Sequence, residues 1–190
     1  MAYLPINRAM SGGITLETWL DQYVPFWPAW IVPYLLAIGW WIAAGLWAAW
    51  KMDDRLIEAF IARWLTACGI GFAIFALFPT YMVRPPVAGD SWAARLLEYV
   101  YSNDHLYNAF PSMHLWTTTI VTLTFADWKP RWRGVWWGIV AVVVLATVFT
   151  HQHWLLDPIG GILLAVISYF LGPALASRLL ARRRPSTGME

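Results

Sequence analysis

Five apolar runs, each near the length a helix needs to cross a bilayer, decide what this chain folds into. They cover residues 31–50, 56–78, 112–128, 134–150 and 154–180. A transmembrane helix takes about 20 apolar residues. Lipid offers the backbone no hydrogen-bond partner, so such runs become helices. The linkers are polar. Lys51, Asp53, Asp54 and Arg55 make one short turn, and Lys129, Pro130, Arg131 and Arg133 another. Glu58 and Arg63 stand near the start of the second run, where long side chains snorkel to the interface. Residues 80–109 form a polar loop in which 91–101 is expected to be a short surface helix. Pro173 predicts a kink in the last run. Only 13% of the residues are charged, about half the soluble average of ~25%. Fifteen Trp and eight Tyr suit membrane–water interfaces. The fold class expected is therefore an all-α, multi-pass membrane helix bundle with about five transmembrane helices. Nothing in the chain points to a nucleic-acid partner, and oligomeric state is not legible.

The chain before the first run is different. Residues 1–13 predict no regular structure and lack the basic region and apolar run of a signal peptide. In 14–30, Leu16, Trp19, Leu20, Tyr23 and Val24 recur at helical spacing, with Glu17 and Asp21 between them, until Pro25 and Pro28 interrupt. This reads as an amphipathic helix lying at the interface. Three parts follow: a tail with an interfacial helix over 1–30, a transmembrane domain over 31–180, and a basic tail over 181–190. The lone Cys68 has no internal partner for a disulfide.

Lys and Arg placement sets the orientation. Lys51, Arg55, Lys129, Arg131, Arg133, Arg178 and Arg182 to Arg184 fall on one side, and only Arg8, Arg84 and Arg95 on the other. The richer side is expected to be cytoplasmic. The N-terminus then lies outside and the C-terminus inside, across a plasma or inner membrane. All four histidines (His105, His114, His151 and His153) fall at the non-cytoplasmic rim.

Three stretches at that rim carry chemistry. Arg84-Pro85-Pro86 offers a planar fork suited to phosphate oxygens, stiffened by prolines; an interfacial arginine on lipid headgroups is the simpler reading. Pro111-Ser112-Met113-His114 opens a helix whose free N–H groups suit an anion. Ser112 adds a hydroxyl and His114 a proton carrier, or else a structural histidine. Thr150-His151-Gln152-His153-Trp154-Leu155-Leu156-Asp157 puts His153 and Asp157 four apart, on one face if helical. Pro158 requires that helix to begin near His153 or Trp154 for the register to hold. Such a carboxylate fixes the tautomer of an attacking imidazole. Together the pieces describe phosphoryl transfer to His153. Asp157 orients it, His114 protonates the leaving oxygen, and Arg84, Ser112 and the helix start hold the other oxygens. No metal and no cofactor are required. Two other classes remain: a zinc site from His151, His153, His114 and Asp157, and a membrane scaffold without activity.

Arg84-Pro85, Pro111-Ser112-Met113-His114 and His153-Trp154-Leu155-Leu156-Asp157 resemble the three motifs of the type 2 phosphatidic acid phosphatase (PAP2) superfamily. Those motifs run Lys-x6-Arg-Pro, Pro-Ser-Gly-His and Ser-Arg-x5-His-x3-Asp. The resemblance covers residues 56–172. It implies a helical membrane phosphatase or phosphotransferase with a phosphohistidine intermediate, acting on a lipid phosphate. Three positions depart from the motifs: Leu77 for the lysine, Met113 for the glycine and Thr147 for the arginine. Phe78-Pro79-Thr80 and the 150–157 stretch are closer to the branch of inositol phosphorylceramide synthases, which pass the headgroup to an alcohol. His151 and Arg95 are the candidates to replace a missing cation.

Overall fold

The computed structural model describes residues 5, 7, 9, 10 and 12–183, the last four by backbone alone. From residue 12 onward among the described residues, six α-helices carry the fold: α1 Ile31–Lys51, α2 Asp54–Leu77, α3 Trp92–Asn103, α4 Met113–Trp128, α5 Arg133–Phe149 and α6 Leu156–Arg183. Four of them, α1, α2, α5 and α6, are long and apolar enough to cross a membrane. With only 16 residues, α4 is about 24 Å long. It is the axis of the bundle, packed against α1, α2, α5 and α6. Burial on every side explains why α4 lacks a polar face. Its threonines Thr117, Thr118, Thr119, Thr122 and Thr124 are all buried.

The helices start where their sequences allow. Asp53 caps α2 by accepting the N–H of Leu56 at 3.0 Å, and Ser91 caps α3 through the N–H of Ala94 at 3.2 Å. The short surface helix expected in the loop is α3. α6 continues through Pro173, which lies inside the helix. The basic tail over 181–190 lies outside the described residues beyond Arg183.

At the end of the bundle that carries Lys51 and Lys129, Arg63 does not snorkel outward. It is buried, 3.2 Å from Asp127 and 3.2 Å from the hydroxyl of Thr124, with its guanidinium over the Tyr169 ring. This pairing ties α2, α4 and α6 together. The small Gly172 also lets α6 approach the α2 backbone at Ala62.

The amphipathic helix expected over 14–30 is not formed. That stretch is extended, with two three-residue 3-10 turns at Asp21–Tyr23 and Pro28–Trp30. The proline positions break the register, and Asp21 turns inward instead of facing water. Its Oδ2 accepts from the N–H and hydroxyl of Thr18 at 2.7 and 2.6 Å. Trp19, Tyr23 and Trp27 stay exposed, so the aromatic belt survives without the helix. Within the segment expected to be irregular, Pro5, Asn7 and Ala9 are helical. Asn7 is buried, and its amide donates to Asp104 at 3.1 Å and to the carbonyl of His105 at 3.2 Å.

Candidate active site

The turn from α5 into α6 places His153. The carbonyl of Thr147 accepts two backbone N–H groups, from Gln152 at 3.0 Å and His153 at 3.2 Å. His151 takes a positive φ of 45° within that turn. α6 begins only at Leu156, so the His153–Asp157 pair does not come from helical register. It comes from Asp157 folding back on the turn. Asp157 Oδ2 accepts the Trp154 N–H at 2.9 Å and lies 3.3 Å from His153 Nδ1. Both side chains are buried, Asp157 completely. Nδ1 engaged by a carboxylate leaves Nε2 as the free nitrogen of His153.

His114, in the first turn of α4, faces the same place. The His114 and His153 rings stand 6.2 Å apart between centroids, edge to face. Tyr34 stacks on His114 at 4.2 Å and Trp41 lies at 5.0 Å. The Nε2 of His114 is buried without a partner. Ser112 caps α4 with its hydroxyl buried and unpaired. Its backbone N–H donates to the Asp157 carbonyl at 3.0 Å, which joins the start of α4 to the start of α6.

Arg84 completes the polar end. Its side chain is only 7% exposed. Nη1 donates to the carbonyls of Asp104 at 2.7 Å and Tyr101 at 3.3 Å. Nη2 donates to Asp104 Oδ2 at 3.2 Å and Gln152 Oε1 at 2.6 Å. The guanidinium also lies over the Tyr101 ring. Burial pushes the Tyr101 phenol above its ordinary range, opposed by the Arg84 charge. That phenol donates to the Thr150 carbonyl.

Arg84, His114, Gln152 and His153 all line one cavity of about 720 Å³. Away from them its wall is mostly apolar, built from α1 and α2 with α3, α4 and the 106–109 loop closing the other sides. Those helices share a cluster near their two-residue turn but are not packed along their length. Exposed Ile38, Ile42, Ile61 and Leu65 flank the opening between them.

A family model described as PAP2 superfamily matches residues 8–171. The chain belongs to the PAP2 superfamily. Neither the curated proteins nor the solved structures provide a match. Members of the superfamily are generally phosphatase-type enzymes, so a phosphatase or phosphotransferase activity is indicated.

The departures from the PAP2 motifs now have positions. Leu77 is 84% exposed on the outside of α2, away from the cavity. Thr147 is fully buried, with its hydroxyl turned back on the Val144 carbonyl at 2.8 Å. Neither candidate replacement lines the cavity. Arg95 is exposed on α3. His151 packs on Phe26 at 5.2 Å, and burial lowers its imidazole pKa against the opposing effects of the Val24 backbone and Asp21. Pointing that way, His151 does not join His153, His114 and Asp157 as a ligand set. Among the described residues, no three His, Cys, Asp or Glu side chains are grouped as metal ligands.

Three residues of this PAP2 site escaped sequence reasoning. Gln152 and Asp104 form a chain with Arg84, and Asp21 reaches the turn that carries His153 from far upstream. Asp21 Oδ1 accepts the Leu155 N–H at 2.8 Å, between His153 and Asp157. No local pattern announces a contact across 134 positions.

Proposed function

We propose that this PAP2 protein is an integral-membrane lipid-phosphate phosphatase working through a phosphohistidine. The observation that carries this is the buried His153–Asp157 pair opposite His114, at the polar end of an apolar cavity that opens between α1 and α2. Nε2 of His153 attacks phosphorus, and the P–N bond forms as the P–O bond to the lipid breaks. Asp157 stabilises the imidazolium. His114 gives its proton to the leaving lipid oxygen, then takes one from water. That water attacks phosphorus, breaks the P–N bond and frees His153. Ser112, the start of α4 and Arg84, whose Nε alone has no protein acceptor, hold the remaining oxygens, with positioning and charge doing most of the work. The lipid tail lies in the apolar part of the cavity. The site faces the non-cytoplasmic side, because Lys51, Lys129, Arg131 and Arg133 lie at the other end of the bundle.

The charge balance favours a second reading. Arg84 is paired with Asp104, Asp157 adds a further negative charge, and positions 77 and 147 carry no cation. A dianionic monoester meets little compensating charge there, whereas a monoanionic diester meets less repulsion. In this reading a phosphodiester lipid gives its phosphoryl headgroup to His153 as its lipid alcohol leaves with the His114 proton, and an acceptor alcohol in place of water then breaks the P–N bond and gives its proton to His114.

The test is a screen of detergent-solubilised protein against phosphatidate, phosphatidylglycerophosphate, polyprenyl phosphates and phosphodiester lipids, with and without inositol. Free phosphate from a monoester supports the hydrolase. A new inositol-linked headgroup product supports the transferase. Turnover that survives in His153→Ala removes the nucleophile and with it both readings.

A further inference from the structure

We propose that Gln152 binds a substrate phosphoryl oxygen through its side-chain amide, supplying the donor that is lacking with threonine at 147. The proposal rests on reading the cavity as a phosphoryl site. Gln152 is 4% exposed and lines the cavity directly beside His153. Its backbone is pinned by the N–H bond to the Thr147 carbonyl, so the side chain starts from a fixed point.

The orientation of the amide follows from chemistry. A guanidinium only donates, so the group 2.6 Å from Arg84 Nη2 has to be the amide oxygen. Nε2 therefore points away from Arg84 with two N–H donors. It is buried and has no partner within the protein. Buried donors are nearly always paired. The missing partner is an acceptor delivered by whatever fills the cavity, and a phosphoryl oxygen is the acceptor this site is built to meet.

Arg84 sharpens the point. Both of its terminal nitrogens are already spent on protein acceptors, and only Nε is without one. The guanidinium thus holds Gln152 in place. The Asp104–Arg84–Gln152 chain polarises the amide and strengthens its N–H donors. The position of Gln152 delivers a neutral donor, which strengthens binding without adding charge. This agrees with a site that carries few cations.

The decisive variant is Gln152→Glu. It is isosteric and keeps an acceptor for Arg84, but it replaces the donor with a carboxylate oxygen. The probe is orthovanadate, a mimic of the transferring phosphoryl group, titrated into the full-length protein in detergent. Affinity and thermal unfolding are both read. Gln152→Glu is expected to bind at least about tenfold more weakly, the scale of a lost hydrogen bond to a charged group, with its unfolding temperature retained. Gln152→Met, which lacks donor and acceptor, is expected to lose similar affinity and also to unfold earlier. Wild-type affinity in either variant overturns the proposal, as does a change confined to unfolding temperature. If wild type binds orthovanadate and only His153→Ala loses it, Gln152 alone is refuted. If wild type does not bind it, the phosphoryl-site reading fails and this proposal fails with it.

Discussion

Asp157 holds His153 with a single oxygen. Oδ2 lies 3.3 Å from His153 Nδ1 and also accepts the Trp154 N–H at 2.9 Å, while Oδ1 is buried with no partner. A buried carboxylate with one unpaired oxygen is costly unless a positive charge lies beside it. An imidazolium on His153, which the proposed attack on phosphorus would create, supplies this charge. The resting carboxylate is thus under-compensated, and the proposed intermediate would correct this.

Replacement of Asp157 by Asn tests that relationship. The oxygen that faces Nδ1 also accepts the Trp154 N–H, so the Asn oxygen takes that place and keeps the tautomer, but the negative charge that would stabilise an imidazolium on His153 is gone. Turnover is expected to fall by about two to four powers of ten, with little change in unfolding temperature because the shape is kept. Rates of product formation decide it. A loss smaller than about tenfold shows that the Asp157 charge does not assist His153.

Arg84→Lys is not conservative here. The guanidinium serves four acceptors at once. A lysine ammonium has three donors and no fork. Asp104 or Gln152 is left short of a partner in a buried setting, at a cost of about 2–3 kcal/mol. Thermal unfolding is expected to move down, and kcat/KM to drop at least about tenfold as Gln152 loosens. Unchanged unfolding would mean that a lysine satisfies the same group.

The helices were legible because lipid-length apolar runs leave the backbone little choice. The His153–Asp157 pair was legible for a reason that turned out to be incomplete. The spacing of four was right, but the contact is made by a turn and a folded-back carboxylate, since α6 starts at Leu156. Gln152 stood in plain view and gave no signal, because its role depends on Arg84, 68 positions away. The 14–30 segment misled for the opposite reason. Its apolar spacing was helical, yet burying Asp21 against Thr18 and Leu155 outweighed a helix already interrupted by prolines.

Asp21→Ala follows from that last contact. The Leu155 N–H loses a charged acceptor, and the N-terminal strap loses its tie to the turn that carries His153. A hydrogen bond to a charged group contributes roughly 1.5–3 kcal/mol, and the variant is expected to lose about that much stability. Because the bond sits between His153 and Asp157, kcat should also fall, with KM less affected. Thermal unfolding and steady-state kinetics on the same preparation separate the two effects. A fall in stability with intact kcat would make Asp21 a fold residue only.

Gly161→Ala probes the joint between α4 and α6. A Cβ there would meet the Ser112 carbonyl oxygen at 2.5 Å and Leu115 Cβ at 2.9 Å. Both belong to the start of α4 and cannot swing aside. α6 must move, and it carries Asp157, whose carbonyl accepts the Ser112 N–H. Overpacking of this kind costs about 1–3 kcal/mol. Lower unfolding temperature together with reduced turnover is expected. Normal turnover would show that the joint can shift without disturbing the His153–Asp157 pair.

His151 gives the protein an acid-sensitive point. Burial lowers its imidazole pKa in the folded state, with Asp21 and the Val24 backbone acting in the other direction. The unfolded chain takes up this proton near pH 6.5, the folded chain only at lower pH. The unfolded state therefore binds more protons in that window. Stability from this group is complete above about pH 6.5 and declines as pH falls toward the folded-state value. Asn tolerates the positive φ of 45° at this position and does not titrate. His151→Asn is accordingly expected to flatten the acid side of the unfolding-temperature profile between pH 7 and about pH 5, while changing little at pH 8. An acid-side decline as steep as that of wild type would assign it to other groups.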